Sequence, residues 1–207
     1  MSGAPNHAMN QHRTVPPIAM LLVALAFAPD ALAHLQRSDA AGFLSGFLHP
    51  ISGFDHVLAM VAVGLWGAQL GAPALWVLPV AFPLVMAIGG FLGFVGVHLP
   101  GVEIGIAASA VLLGAAVLFA WRPPLATAAL LVGALAIFHG HAHSTELPNG
   151  EDALLYSMGF VIATGCLHAL GIAIGTVRRW RWGNRLLRAL GLGIAAGGAF
   201  FMWQAVA

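Results

Sequence analysis

Two short segments of this chain crowd imidazoles and carboxylates into otherwise apolar sequence. The first is His49-Pro50-Ile51-Ser52-Gly53-Phe54-Asp55-His56, and the second is Phe138-His139-Gly140-His141-Ala142-His143-Ser144-Thr145-Glu146-Leu147-Pro148. A chain helical from Pro50 onward places His49 and His56, seven residues apart, on one face, with Asp55 about 100° from His56. In the second segment His139 and His143 have the i, i+4 spacing at which two imidazoles share a metal, with Glu146 three residues further on. His141 points to another side. Neutral imidazole combined with carboxylate is a donor set for borderline divalent cations such as nickel, zinc or cobalt, and the lack of thiolate pairs argues against a soft copper(I) site.

Each segment also has a plainer reading. Ser52-x-x-Asp55 resembles a capping box and Pro50 fits a helix start, which accounts for Asp55 but not for the histidines beside it. The three histidines between 139 and 143 could belong to a solvated loop. Glu103 and His98 flank a further loop, where Glu103 either joins a cation site or complements a helix N-terminus. His168 falls about sixteen residues into a long apolar stretch, as either a hydrogen-bonded structural group or a transit point inside a membrane.

The elements that position these residues are membrane-spanning helices. Of 207 residues 60% are hydrophobic and 7% charged, whereas soluble domains carry about 25% charged residues, so this chain could not cover its own surface in water. The formal charge of +1 provides no field that would recruit nucleic acid. A single cysteine, Cys166, allows no intramolecular disulfide and no CxxC site. No phosphate-binding G-x-x-x-x-G-K-[ST] loop is present, so the chain does not hydrolyse ATP by itself.

Residues 1–33 read as a signal peptide: Arg13, an apolar run at 18–28 too short to span, and Ala31-Leu32-Ala33 before a cleavage point at His34. An uncleaved signal anchor is the alternative. The remainder, 34–207, forms one all-α domain with six expected spans at about 53–70, 74–98, 104–121, 125–142, 153–177 and 186–206, each near the ~20 residues a bilayer requires. Arg178, Arg179, Arg181, Arg185 and Arg188 lie between the fifth and sixth spans and Arg122 between the third and fourth, which makes both loops cytoplasmic by the positive-inside rule. Counting from them puts the mature N-terminus, the loops at 98–103 and 143–152, and the C-terminus outside.

Rows of small residues at near-helical spacing, namely Gly89, Gly93 and Gly96, Gly101 and Gly105, Gly171 and Gly175, and Gly193 and Gly197, would let helix backbones approach closely in lipid. Pro79 and Pro83 inside the second span each remove a backbone hydrogen bond, giving either a kink or a broken helix lining a cavity.

With HPISGFDH, FHGHAHSTELP, the intervening GLWGAQLGAPALWVLP and six spans, the mature chain resembles the HupE/UreJ family of bacterial membrane proteins, associated with nickel supply to hydrogenase and urease. The family's H-x5-D-H pattern is met by His49, Asp55 and His56. Its F-H-G-x-A/V-H-G-x-E pattern is met by Phe138, His139, Gly140, Ala142, His143 and Glu146, with Ser144 where the family usually has glycine. His34-Leu35-Gln36 replaces a common His-Pro-Gly-His, so metal capture by the mature N-terminus is a weaker feature here.

The resemblance implies a nickel(II) permease of the bacterial inner membrane rather than an enzyme. His49, Asp55, His56, His139, His143 and Glu146 would form the outer site, with Glu103 alongside and His168 deeper. Nickel would be the transported ion, with zinc or cobalt fitting the same donors, and metallochaperones or hydrogenase and urease maturation proteins would be the partners. Two rival readings are an intramembrane metal-dependent hydrolase, needing three protein ligands, an open position and a carboxylate base, and a metal-binding accessory subunit that conducts nothing.

Overall fold

A computed structural model describes residues 39–145 and 152–207, so the expected signal peptide, His34 and Glu146 lie outside the described residues. Within them the chain is all-α: α1 (Asp39–Ser52), α2 (Phe54–Leu70), α3 (Ala74–Phe94), α4 (Val102–Leu118), α5 (Leu125–Thr145), α6 (Ala153–Gly175), a 3-10 turn (Thr176–Arg179) and α7 (Gly183–Val206). Four helices are long and apolar enough to cross a bilayer: α3, α5 over Leu125–Ser144, α6 extended through Arg179, and α7. A fifth crossing results if α1 and α2, bent by 81° at their junction, count as one span; α4, with 17 residues, is a shorter apolar helix.

These helices are apolar on nearly every side. On α3, Leu78, Phe82 and Met86 repeat every four residues and are buried, while Leu84, Ile88, Phe91 and Phe94 face outward. Large apolar side chains pointing away from the core are what a lipid environment selects, since outside the bundle there is no water to avoid.

Close backbone approach at small residues holds the bundle together. A Cβ on Gly64 of α2 would collide with the His168 carbonyl of α6, and one on Gly171 with the Val61 carbonyl. Gly89 of α3 and Gly140 of α5 make the same kind of contact with the carbonyls of Ile137 and Met86. Between α4 and α7 the contact residues are Gly114, Gly191 and Gly198; the expected Gly193 faces open space, and Gly197 meets Leu58 instead. Spacing alone could not separate these, because 191 and 198 lie as well in register as 193 and 197.

The two ends of the bundle differ in chemistry. At one end Trp66 Nε1 donates to the Trp121 carbonyl, Gln69 Nε2 to that of Val117 and Arg188 Nε to that of Leu118. Arg181 and Arg185 stand there over the Trp182 ring, the pairing of arginine and tryptophan expected at a membrane interface. At the other end lie the starts of α2 and α6 and the close of α5, with the histidines.

The start of α2 departs from the expected continuous helix. Gly53 takes an extended conformation (φ −92°, ψ 108°), so α1 ends and α2 begins there. The Ser52 hydroxyl turns back to the His49 carbonyl, satisfying one acceptor that the end of α1 exposes, and no Ser52–Asp55 capping box forms. α1 was not among the expected spans. It is seated on α6 by Gly46, whose Cβ would collide with the Tyr156 carbonyl, and by Gly159, which meets the Phe43 carbonyl.

Candidate metal site

The break at Gly53 brings His49 from α1 and Asp55 and His56 from α2 to the same place as His139 and His143 from α5. Ring centroids are 4.8 Å apart for His49 and His143, 4.8 Å for His56 and His139, 4.9 Å for His56 and His143, and 6.3 Å for His49 and His56. Four imidazoles from three helices thus stand together, although the helix that was expected to align His49 with His56 is interrupted between them. His139 is fully buried, and His56 and His143 nearly so.

Hydrogen bonds fix which nitrogens are left for an ion. Asp55 Oδ1 accepts from the His56 backbone N–H at 2.8 Å and lies 2.9 Å from His56 Nδ1. An ionised carboxylate can only accept, so Nδ1 carries the proton and the lone pair sits on Nε2, a buried atom with no hydrogen-bond partner. The Ser109 hydroxyl of α4 donates to the Ile106 carbonyl at 2.5 Å and lies 2.8 Å from His139 Nε2. With its own proton committed to Ile106, the hydroxyl accepts from His139 Nε2–H and leaves the lone pair on Nδ1, again buried and unpartnered. Carboxylate and hydroxyl partners that orient imidazoles in this way are the usual outer shell of metal-binding histidines.

Ser109 is the positioning residue that sequence reasoning missed. It is the single hydroxyl in an apolar α4, six residues after Glu103, and that isolation was its only signal. Ser109→Ala frees the His139 tautomer and is expected to weaken the binding of a divalent cation at these rings by about 10-fold, the low end of the effect of losing such a partner; equilibrium dialysis of the purified protein against cobalt(II) or nickel(II) measures it.

Among the described residues, no three or more His, Cys, Asp or Glu side chains are disposed to hold a metal ion as they stand. The His49–His143 and His56–His139 pairs meet edge to face, with interplanar angles of 87°, so an ion ligated by three of them requires ring rotation. Beside the rings is a pocket of about 240 Å³ lined by His49, Asp55, His56 and Glu103, together with Ser52 and Ile106. Glu103, exposed at the start of α4, therefore shares the site's approach. The C-terminal end of α1 also points its partial negative charge here, which favours a cation.

The other candidates fall elsewhere. His141 Nε2 donates to the Val97 carbonyl at 2.8 Å, so it ties α5 to the end of α3. His98 is exposed. Ser144, the departure from the family's glycine, sends its hydroxyl back to the His141 carbonyl, and Gly93 makes room for it. His168 lies deeper, away from the four rings, and Phe82 stands between, its centroid 5.3 Å from those of both His139 and His168. Phe160 closes the site from α6, 4.0 Å from His143 between centroids.

A family model described as "HupE / UreJ protein" matches residues 21–201. Among curated proteins, Protein HupE of Rhizobium leguminosarum bv. viciae is 46% identical over 182 residues, covering 88% of this chain and 95% of that relative. No solved structure matches.

Proposed function

Because the chain belongs to the HupE/UreJ family, a family of hydrogenase and urease accessory proteins, we propose that it is a permease that carries nickel(II) across a bacterial inner membrane for the maturation of those enzymes. The observation that carries this reading is the convergence of His49, His56, His139 and His143 at one end of an apolar bundle, with two ring nitrogens oriented and unpartnered. On this reading α2 to α7 make six crossings after a signal peptide removed before His34. The histidine end and both termini face the periplasm, and the arginine-rich end faces the cytoplasm.

Nickel, arriving hydrated, is captured by His49, Asp55, His56, His139, His143 and Glu146, with Glu103 drawing the cation into the pocket and His168 receiving it further in. Neutral imidazoles and carboxylates replace part of the water shell, and ligands spread over several helices avoid a single site too tight to release the ion. The need for ring rotation fits an ion in transit better than a resident catalytic one, and the chain acts as a transporter rather than an enzyme. Zinc or cobalt would meet the same donors, and maturation proteins or metallochaperones would collect the ion on the cytoplasmic side.

Rescue in cells tests the role. In a bacterium stripped of its other nickel importers and grown with a chelator, expression of this chain restores hydrogenase or urease activity at nickel levels at which the host alone shows none. No rescue at any nickel level below that which restores the host unaided would refute nickel supply.

A further inference from the structure

The inward face of α6 carries polar groups that packing does not account for. His168 is 1% exposed and Thr164 is fully buried; neither ring nitrogen of His168 and not the Thr164 hydroxyl makes a hydrogen bond of standard geometry. A buried threonine in a helix ordinarily gives its hydroxyl to the carbonyl one turn back, and a buried imidazole without a well-formed hydrogen bond is costly. Thr164 and His168 are four residues apart on α6 and so share one face. The close contact of Gly64 with the His168 backbone presses that part of α6 against α2.

The third group comes from α3. Proline at 83 has no N–H to give to the carbonyl four residues earlier, so the Pro79 carbonyl lacks its helical partner. That carbonyl lies within reach of the His168 ring, without a hydrogen bond of standard geometry between them. Pro83 therefore bares an acceptor on α3 beside the imidazole that α6 presents, and the Phe82 ring stands 5.3 Å from that imidazole between centroids.

We propose that His168, Thr164 and the Pro79 carbonyl form a second, inner divalent-cation site, separated from the outer histidines by the Phe82 ring. This rests on the reading that a divalent cation passes through the bundle. One nitrogen and two neutral oxygens form a weak, mixed donor set that leaves the ion several waters, suited to a stage on a path rather than to storage. From Phe160, which touches the outer cluster, to His168 is eight residues of α6, or roughly 12 Å of descent at 1.5 Å per residue.

Cobalt(II) serves as the probe. The full-length protein in detergent micelles is titrated with cobalt(II), following visible absorption and bound metal per chain. Wild type is expected to bind in two steps, and a His139→Ala, His143→Ala variant retains only the weaker one. His168→Gln abolishes that weaker step, and Thr164→Val and Pro83→Ala, the latter supplying the missing N–H to Pro79, each weaken it about 10-fold or more while the tighter step is unchanged. That unchanged step also reports that each variant is folded. A single step in wild type, no cobalt bound by the outer-cluster variant, or a weaker step indifferent to His168→Gln and Thr164→Val would overturn the inner site and leave the pocket to buried water. Failure of the transport reading is distinguishable, since it appears as absence of nickel flux by wild type in vesicles and does not alter the number of cobalt steps.

Discussion

Replacing His139 and His143 together by alanine is expected to reduce nickel uptake at least ~100-fold without removing the protein from the membrane. Loss of a single outer partner of a metal-binding histidine costs about 10–100-fold in affinity or activity, and this variant removes two of the four clustered rings. His143 is the ring in contact range of both His49 and His56, and His139 is the most deeply buried, so the remaining pair, 6.3 Å apart between centroids, loses its bridge to α5. The fold should survive, because α5 is seated by Gly140 against Met86 and by Gly89 against Ile137, neither of which involves the imidazoles. Initial rates of radiolabelled nickel uptake, normalised to the protein detected in the membrane fraction, give the result. Uptake within twofold of wild type would remove these residues from the path.

Asp55→Ala should be nearly as damaging, and the comparison with Asp55→Asn separates two causes. The carboxylate fixes the His56 tautomer by accepting its Nδ1–H, and it would place a negative charge beside a doubly charged ion. Asparagine can keep the acceptor but not the charge. Asp55→Ala is therefore expected to lose about 100-fold in nickel affinity and Asp55→Asn about 10-fold, within the range for such oriented carboxylates. Isothermal titration of the three proteins with nickel decides it. Equal losses would mean that charge alone matters, and no loss in either would mean that His56 needs no orienting partner.

The clustered residues His49, Asp55, His56, His139 and His143 were legible as a candidate site because ionisable groups are rare in this chain and stand out wherever they cluster. The helices α3, α5, α6 and α7 were legible for the complementary reason: long apolar runs ended by proline, glycine and arginine. The way the donors meet was not. His49 and His56 were expected to align on one helix, yet they converge across a bend at Gly53, a residue whose role depends on α1 resting against α6. That helix is short, mixed in character and fastened by Gly46 and Gly159, which look like any other glycines in the sequence. Ser109 reads as one more small residue in an alanine-rich helix until α5 is placed beside it. Helices apolar on all sides carry no periodic signal to say which face turns inward, so neither Phe82 nor the bared Pro79 carbonyl could be assigned to the interior in advance.

Accumulation of nickel against an imposed voltage tests the permease reading most directly. Purified wild-type protein is reconstituted in liposomes, an inside-negative potential is set with a potassium gradient and valinomycin, and internal labelled nickel is followed to its plateau. A divalent cation gains ~4.6 kcal/mol per 100 mV on entering a negative interior, on the order of a thousandfold accumulation. A permease gives nickel rising well above the external concentration, collapsing when the potential is dissipated, and no such rise in the His139→Ala, His143→Ala variant. Liposomes that bind nickel in proportion to protein but never accumulate it, with or without the potential, would contradict the permease and leave a binding protein in its place.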